Sequence, residues 1–358
     1  MVLNPPTRRI PPRGAVGFGL GVLALVLLIL GATPAQAASH HLLKFATLIP
    51  KGTGPMKVLE QWGRTVEQRS GGRLKIRFYP GGIQGDEPQV LKKIRFGQLQ
   101  GGTFTGYGIG RIYSPARILE FPFLFDSYAE IDAVRDRLMP EFEAGFRKKG
   151  YELLGWAELG FIHFFSRKPI DSLEDLRRQR VWIWEGDRLS EVWFRVAHIS
   201  PIPLSIADVY TSLSTGLIDT VYATPLAAAA LQWASKAPYM TNVPMADGIG
   251  AVVVSERFFR RLPEDLQRLL RETGARVGRE LTRISREDNE KILRVLEKNG
   301  LKRTMDLEDL DPAEIRRLSD RAARELAAEG YIPGPLFERT RTLLTRLRSE
   351  TAAAHTTP

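Results

Sequence analysis

Few residues of this 358-residue chain are of types that make or break covalent bonds. There is no cysteine, which excludes thiolate nucleophiles, disulfides and cysteine-bound metals. The five histidines, His40, His41, His163, His198 and His355, form no two-histidine metal motif. No Gly-x-Ser-x-Gly marks a nucleophile elbow. Glu185 and Asp187 could act as acid and base, but nothing beside them marks a reacting centre. The expectation is a protein without catalytic residues, metal or cofactor. What the chain does gather is aromatic surface. Trp182 and Trp184 alternate with Val181 and Ile183, so both indoles share one face of a strand. Tyr222 and Trp233 follow within the same stretch. That face is either core beneath a helix or one wall of a largely apolar ligand cleft.

The stretch 180–233 positions these rings. It reads as strand, helix, strand, helix, strand, helix, and such units build an open α/β layer that holds ligands beyond the carboxyl ends of its strands. Trp182, Trp184 and Tyr222, followed by Ala223, fall at those ends. Asp187 and Ser205 stand where helix caps are expected, and Gly216 where a helix stops. Asp187 therefore reads as a cap or as a ligand contact, and Tyr210, on a helix, as core or as a contact.

The chain before this stretch has a similar grammar. Strands are predicted over 42–47, 74–78 and 102–105. The helices between them open at Thr53, with Pro55 in the first turn, and at Asp86 with Pro88. This order implies a parallel sheet. Gly106-Tyr107-Gly108-Ile109-Gly110 lacks the spacing of a dinucleotide loop, and no helix start is read after it. The glycines are taken to turn the backbone near a cleft, which puts Tyr107 at the cleft side, while Phe123 reads as core. Ser127 with Glu130 is a capping box. Two strands, 151–156 and 161–166, carry Trp156 and Phe161 on either side of a crossing between domains. A buried strand over 250–255 crosses back. Helical, charged sequence fills 263–300, and further helices open at Pro312 and Pro335.

Length allows two domains. The first 37 residues read as a cleaved secretory signal: Arg8, Arg9 and Arg13, an apolar run to Leu30, then Ala35-Gln36-Ala37. Without a cysteine at the cleavage site no lipid anchor is expected. Formal net charge is +10, and +7 without the three leader arginines. Because bases and acids are mixed along the helices and the chain is exported, nucleic acid is not an expected partner.

Several segments, in shared order, resemble one family. They are Ser70-Gly71-Gly72-Arg73-Leu74, Phe121-Pro122-Phe123-Leu124-Phe125, Pro169-Ile170 with Leu173-Glu174-Asp175-Leu176, and Val209-Tyr210-Thr211-Ser212-Leu213 leading to Thr215-Gly216 and Ile218-Asp219. On them the chain resembles the DctP-type solute-binding proteins of TRAP (tripartite ATP-independent periplasmic) transporters. The resemblance implies an α/β, two-lobed periplasmic binding protein of type II-like fold, with two α/β domains, hinge strands and a long C-terminal helix spanning both lobes. On this reading 38–163 with about 251–262 forms lobe one, and 164–250 forms lobe two. Residues 263–350 pack across both, and 351–358 is a disordered tail. The implied partners are a small-molecule ligand and TRAP integral membrane subunits. A helical-repeat periplasmic protein accompanies some relatives.

Most relatives clamp a carboxylate with an arginine in a Lys-Ile-Arg-like segment. Here those positions fall on Arg180-Val181-Trp182, so the resemblance replaces the clamp with an indole. With it and the placements read above, the candidate ligand contacts are Trp182, Tyr107, Tyr222, Ala223, Trp184, Phe161, Trp156, Asp187, Tyr210 and Trp233, with packing the alternative for Phe161 and Trp156. A buried anion without its partner costs several kcal/mol, whereas burying about 400 Å² of apolar surface contributes on the order of 10 kcal/mol. The ligand is therefore expected to be apolar or amphipathic. The alternatives are an organic acid held through Lys51, Arg111 or Arg188, or a binding protein of a different, ATP-driven importer.

Overall fold

The computed structural model describes Met1 and residues 40–356, with side chains in its last helix as far as 352. The expected signal, apart from Met1, lies outside the described residues. Strand β1, His41–Ala46, leads to helix α1, Gly54–Arg69, whose Thr53 side chain caps the Met56 N–H. Then come β2, Leu74–Tyr79, α2, Glu87–Arg95, and β3, Gly101–Thr105. Alternation of Leu74 and Ile76 inward with Lys75 and Arg77 outward shows β2 covered on one face only.

Helix α3, Gly106–Tyr113, starts directly at the end of β3 and runs into a 3₁₀ turn, Ser114–Glu120. The glycine-rich segment read as a loop is thus helical. Glycine lowers helix propensity, but here close packing overrides it. Helix α4 is Tyr128–Lys148, and β4, Tyr151–Ser166, follows. The two strands expected over this region are one, bent at irregularities between Leu153 and Gly155 and between Glu158 and Gly160, where Gly160 takes φ +98°.

Helix α5, Leu173–Arg177, precedes β5, Trp182–Trp184. Next are α6, Arg188–Val196, β6, Ile202–Leu204, α7, Val209–Thr215, β7, Thr220–Ala223, and α8, Pro225–Ala230. Gly216 ends α7 in the left-handed region at φ +79°. The chain finishes with β8, Tyr239–Thr241, β9, Ala246–Ser255, α9, Glu256–Phe259, α10, Glu264–Lys298, β10, Lys302–Thr304, α11, Pro312–Ala328, and α12, Gly334–Thr356. Residues 351–356 continue α12, so the tail expected there is helical.

The main sheet runs β10-β8-β4-β9-β3-β1-β2, with β7 also on β4. Its two sections share β4. The first part of β4 pairs with β9 in antiparallel register, from Tyr151↔Ser255 to Ile162↔Ala246. The last part, from His163, pairs with β7 and β8. Strands β5 and β6 form a small parallel sheet, joined to β7 by the Val181–Thr220 bridge. This is the two-lobed α/β fold, with long strands passing between the lobes. The long helix α10 packs on β4 and also touches α1 and α8, so it spans both sections. Its approach to β4 is backbone to backbone. A Cβ at Gly278 would collide with the Trp156 carbonyl, and one at Gly155 with the Gly274 carbonyl.

Candidate functional site

A cavity of about 210 Å³ lies where α3, the 3₁₀ turn and the middle of β4 and β9 face the ends of β5 and β7. Tyr107, Trp182, Trp184, Tyr222 and Trp233 border it, with Leu231, Met245 and Ala223.

Trp182 is the hub of the aromatic wall. Its ring centroid lies 5.2 Å from Tyr222, stacked at 24°, 5.2 Å from Trp233, edge-on at 71°, and 4.9 Å from Trp184. Its indole N–H donates to the Leu204 carbonyl at 3.1 Å. The side chain borders the cavity but is fully buried, so it backs the wall instead of offering open surface. Tyr107 and Trp184 stack at 5.4 Å and 12°.

Four consecutive residues, from the last of β5 onward, bond to groups before β4. Trp184 Nε1 donates to Asp86 Oδ2 at 3.2 Å, and the Tyr107 hydroxyl donates to the Glu185 carbonyl at 2.8 Å. Arg111 Nη2 donates to the Gly186 carbonyl at 3.3 Å. Arg117 Nη1 and Nη2 donate to Asp187 Oδ1 and Oδ2 at 2.7 and 3.3 Å.

Arg117 also places Nε 2.7 Å from Glu120 Oε2. Asp187 accepts from the Ser190 hydroxyl at 2.7 Å, and that oxygen lies 3.3 Å from the Tyr222 hydroxyl. Burial opposes the charge on Arg117, but Asp187 and Glu120 hold its pKa well above the usual arginine value. Burial pushes the Glu120 carboxyl up to about 7, against the pull of Arg117. Burial likewise raises the Tyr222 hydroxyl, reinforced by Asp187.

Glu87 fills the amino end of α3. It accepts from the Thr105 N–H and the Gly108 N–H, each at 2.6 Å, and from the Thr105 hydroxyl at 3.0 Å. Burial pushes this carboxyl up to about 8, opposed by those hydrogen bonds. The glycines of α3 now have a physical reason. A Cβ at Gly106 would collide with the Glu120 carboxylate, and one at Gly108 with the Glu87 carboxylate.

Of the residues singled out in the sequence, Trp182, Tyr107, Tyr222, Ala223, Trp184, Asp187 and Trp233 come together around the cavity. Phe161, Trp156 and Tyr210 do not border it. Phe161 stacks on Tyr128 at 4.4 Å and Trp156 on Phe142 at 5.6 Å, because both rings leave β4 toward α4. Tyr210 is exposed beneath Lys236. Asp187 stands at the amino end of α6 without capping an N–H, since its carboxylate is turned to Arg117 and Ser190. Lys51, Arg111 and Arg188 do not border the cavity. Arg188 is held by Glu329 and Glu191 instead.

Sequence reasoning missed Arg117, Glu120 and Glu87. A signal existed: Arg117 and Glu120, three apart, interrupt the apolar run of Ile109, Ile112, Ala116, Ile118 and Leu119. Among the described residues no group of three or more acids and histidines is placed to hold a metal ion, and no helix is long and apolar enough to cross a membrane.

Residues 45–329 match the family model of bacterial extracellular solute-binding proteins, family 7. A 2,3-diketo-L-gulonate-binding periplasmic protein of Escherichia coli K12 is 22% identical over 301 residues, 82% of this chain and 86% of that one. An uncharacterized protein of Salmonella typhimurium is 29% identical over 161 residues, 44% of this chain. The match spans about half the length of that relative, 49%. A TRAP periplasmic solute-binding protein of Desulfovibrio salexigens, solved with orotic acid, superposes with a TM-score of 0.78 at 19% identity, covering 86% of this chain and 99% of that one.

Proposed function

The chain belongs to the bacterial extracellular solute-binding proteins of family 7, and we propose that it is the periplasmic binding subunit of a TRAP-type secondary transporter. It takes a small solute into the cavity between its lobes and hands it to integral membrane subunits. We divide it at the boundaries read from the sequence: a cleaved signal over 1–37, lobe one over 38–163 with about 251–262, lobe two over 164–250, and helices over 263–350 packed across both.

The solute is small and apolar or amphipathic, and the observation that carries this is the state of Arg117. Among the described residues it is the only lysine, arginine or histidine bordering the cavity, and two carboxylates already hold it. Asp187 borders the same space with its charge engaged by Arg117, and Glu158 is paired with Arg135 and Arg286, so among the described residues a free anion finds no uncommitted cation there. Apolar contact suffices for useful affinity. About 10 kcal/mol from burial, less an association cost of about 4 kcal/mol or more, leaves binding near the micromolar range. Tyr107, Trp184, Tyr222, Ala223 and Trp233 supply that contact, with Trp182 behind them.

A second reading has its own support. Arg117 does border the cavity, and the Escherichia coli relative is named for a sugar acid. The two readings part in one experiment. The protein is purified without refolding, extracted into organic solvent, and the extract and aqueous phase are analysed by mass spectrometry. A stoichiometric apolar or amphipathic compound supports the first reading. A sugar acid or other small carboxylate in the aqueous phase overturns it.

A further inference from the structure

Arg117 has the geometry of a carboxylate receptor. The residue is 2% exposed and borders the cavity, and its guanidinium presents both Nη atoms as a fork. Forks of this kind bind planar carboxylates at two points. The fork is occupied by a side chain of the protein. Asp187 is 3% exposed, meets the fork with both oxygens, and is itself oriented by the Ser190 hydroxyl, which sits beside Tyr222 on the aromatic wall. The occupant comes from the far side of the cavity, on the segment whose preceding residues Trp184, Glu185 and Gly186 bond to Asp86, Tyr107 and Arg111.

Resting on the apolar reading of the cavity given above, we propose that Asp187 is the specificity-determining residue of the site. It stands in for a ligand carboxylate on Arg117, and so closes the lobes and excludes acids at once. A ligand anion has two ways to bind. It can displace Asp187, which leaves that carboxylate buried without a partner, or it can bind beside Asp187, where like charge repels it. Both are unfavourable, and neither applies to a neutral ligand. Discrimination is then achieved by repulsion built into the site as much as by attraction to the ligand. Removing the Asp187 carboxylate reverses the preference, because it leaves a fork with one vacancy of carboxylate shape next to aromatic rings.

The test uses benzoate and the near-isosteric, neutral benzyl alcohol as probes. Both are titrated calorimetrically at neutral pH into the mature protein, Asp187→Ala, and the double variant Asp187→Ala with Arg117→Met. The expected result is no benzoate binding by the wild type and a gain of at least about tenfold in benzoate affinity in Asp187→Ala, which is about 1.4 kcal/mol. That gain should be lost in the double variant. Should Asp187→Ala not fold, Asp187→Asn keeps the shape and removes the charge, and a benzoate-dependent rise in its melting temperature, absent in the wild type, is read instead. Benzoate bound by the wild type as tightly as by the Asp187 variants, or no gain in either variant, overturns the inference. Benzyl alcohol separates the two proposals. A wild type that rejects it while Asp187→Ala gains benzoate counts against the apolar reading and leaves the role of Asp187 standing.

Discussion

Arg117 and Asp187 meet as a two-point fork, Nη1 to Oδ1 at 2.7 Å and Nη2 to Oδ2 at 3.3 Å, with both side chains 3% exposed. Seventy residues apart, they join the 3₁₀ turn after α3 to the amino end of α6. In so doing they tie the elements built on β3 to those built on β5. The pair is therefore a bond across the fold as well as the charge balance of the cavity.

Breaking that pair from one side is expected to destabilise the protein strongly. Arg117→Met leaves Asp187 and Glu120 buried without their cation, and such changes cost about 3–5 kcal/mol. Replacing both partners removes the stranded charge at Asp187. The double variant Arg117→Met with Asp187→Leu should therefore lose less than the two single losses summed. Urea unfolding of the wild type, both singles and the double gives the coupling directly. Simple additivity would mean that the two groups do not act as a pair.

Glu87→Gln tests the carboxylate at the head of α3. Two N–H groups, of Thr105 and Gly108, point at its two oxygens. A glutamine keeps the volume but turns one acceptor into a donor, so one buried N–H faces another. The expected loss is about 1–3 kcal/mol, measured by urea unfolding. An unchanged midpoint would mean that α3 does not need this acceptor.

Gly278→Ala would be stabilising by about 1 kcal/mol in an exposed helix interior. In α10 it should instead destabilise by about 1–3 kcal/mol, because the added methyl meets the Trp156 carbonyl and must push helix from strand. Gly300→Ala does not report on this contact, since Gly300 takes φ +98°. A suitable control is Arg279→Ala beside it, on the solvent side. Thermal unfolding of the two variants should separate them by several degrees, with Gly278→Ala the lower.

Much of the architecture was legible because it rests on local signals. Thr53 and Ser127 cap as their sequence predicts, Gly216 ends α7, and the alternation in 74–79 gives a half-buried strand. The errors share one cause, which is that distant partners decided the outcome. Gly106–Tyr113 reads as a loop until Glu87 and Glu120 are seen pressed against its glycines. Asp187 reads as a cap until Arg117, seventy residues upstream, claims its carboxylate. Trp156 and Phe161 sit near the hinge in sequence, but their rings belong to Phe142 and Tyr128 on α4. The aromatic wall was found because its members Trp182, Trp184 and Tyr222 lie on neighbouring short strands. Its charge balance was not, because no local pattern says that a buried arginine faces a cavity.

Trp184 tests the contact between the two sides. Its indole N–H reaches Asp86, and its ring stacks on Tyr107. Trp184→Phe keeps an aromatic ring and removes the N–H, while Trp184→Ala removes both. If these bonds hold the closed form, small-angle scattering should show the radius of gyration rising in the order wild type, Phe, Ala. Identical scattering from all three would show that closure does not depend on this residue.

The pH dependence of stability should carry two opposed contributions. Burial holds Glu87 up to about 8, so between its unfolded value and pH 8 the native state binds a proton that the unfolded chain has released. Its contribution is complete below the unfolded value and is lost as pH rises toward 8. His163 runs the other way. It accompanies the Thr241 carbonyl at 2.8 Å, and burial lowers its pKa to about 4. Between about 6.5 and 4 the unfolded chain binds the proton first, so stability is full above the unfolded value and falls as pH drops through that window. One proton sets the limiting slope at about 1.4 kcal/mol per pH unit in each case. Between about 4.5 and 6.5 the two slopes cancel, so His163→Gln should leave stability falling as pH rises across that window and leave the fall from about 6.5 to 8 unchanged, whereas Glu87→Gln should leave stability rising across the lower window and remove the fall from about 6.5 to 8. Urea unfolding at pH 4.5, 6 and 8, values chosen to bracket the reference range, checks both. Parallel profiles for wild type and His163→Gln would mean that His163 takes up its proton in the folded state as readily as in the unfolded one.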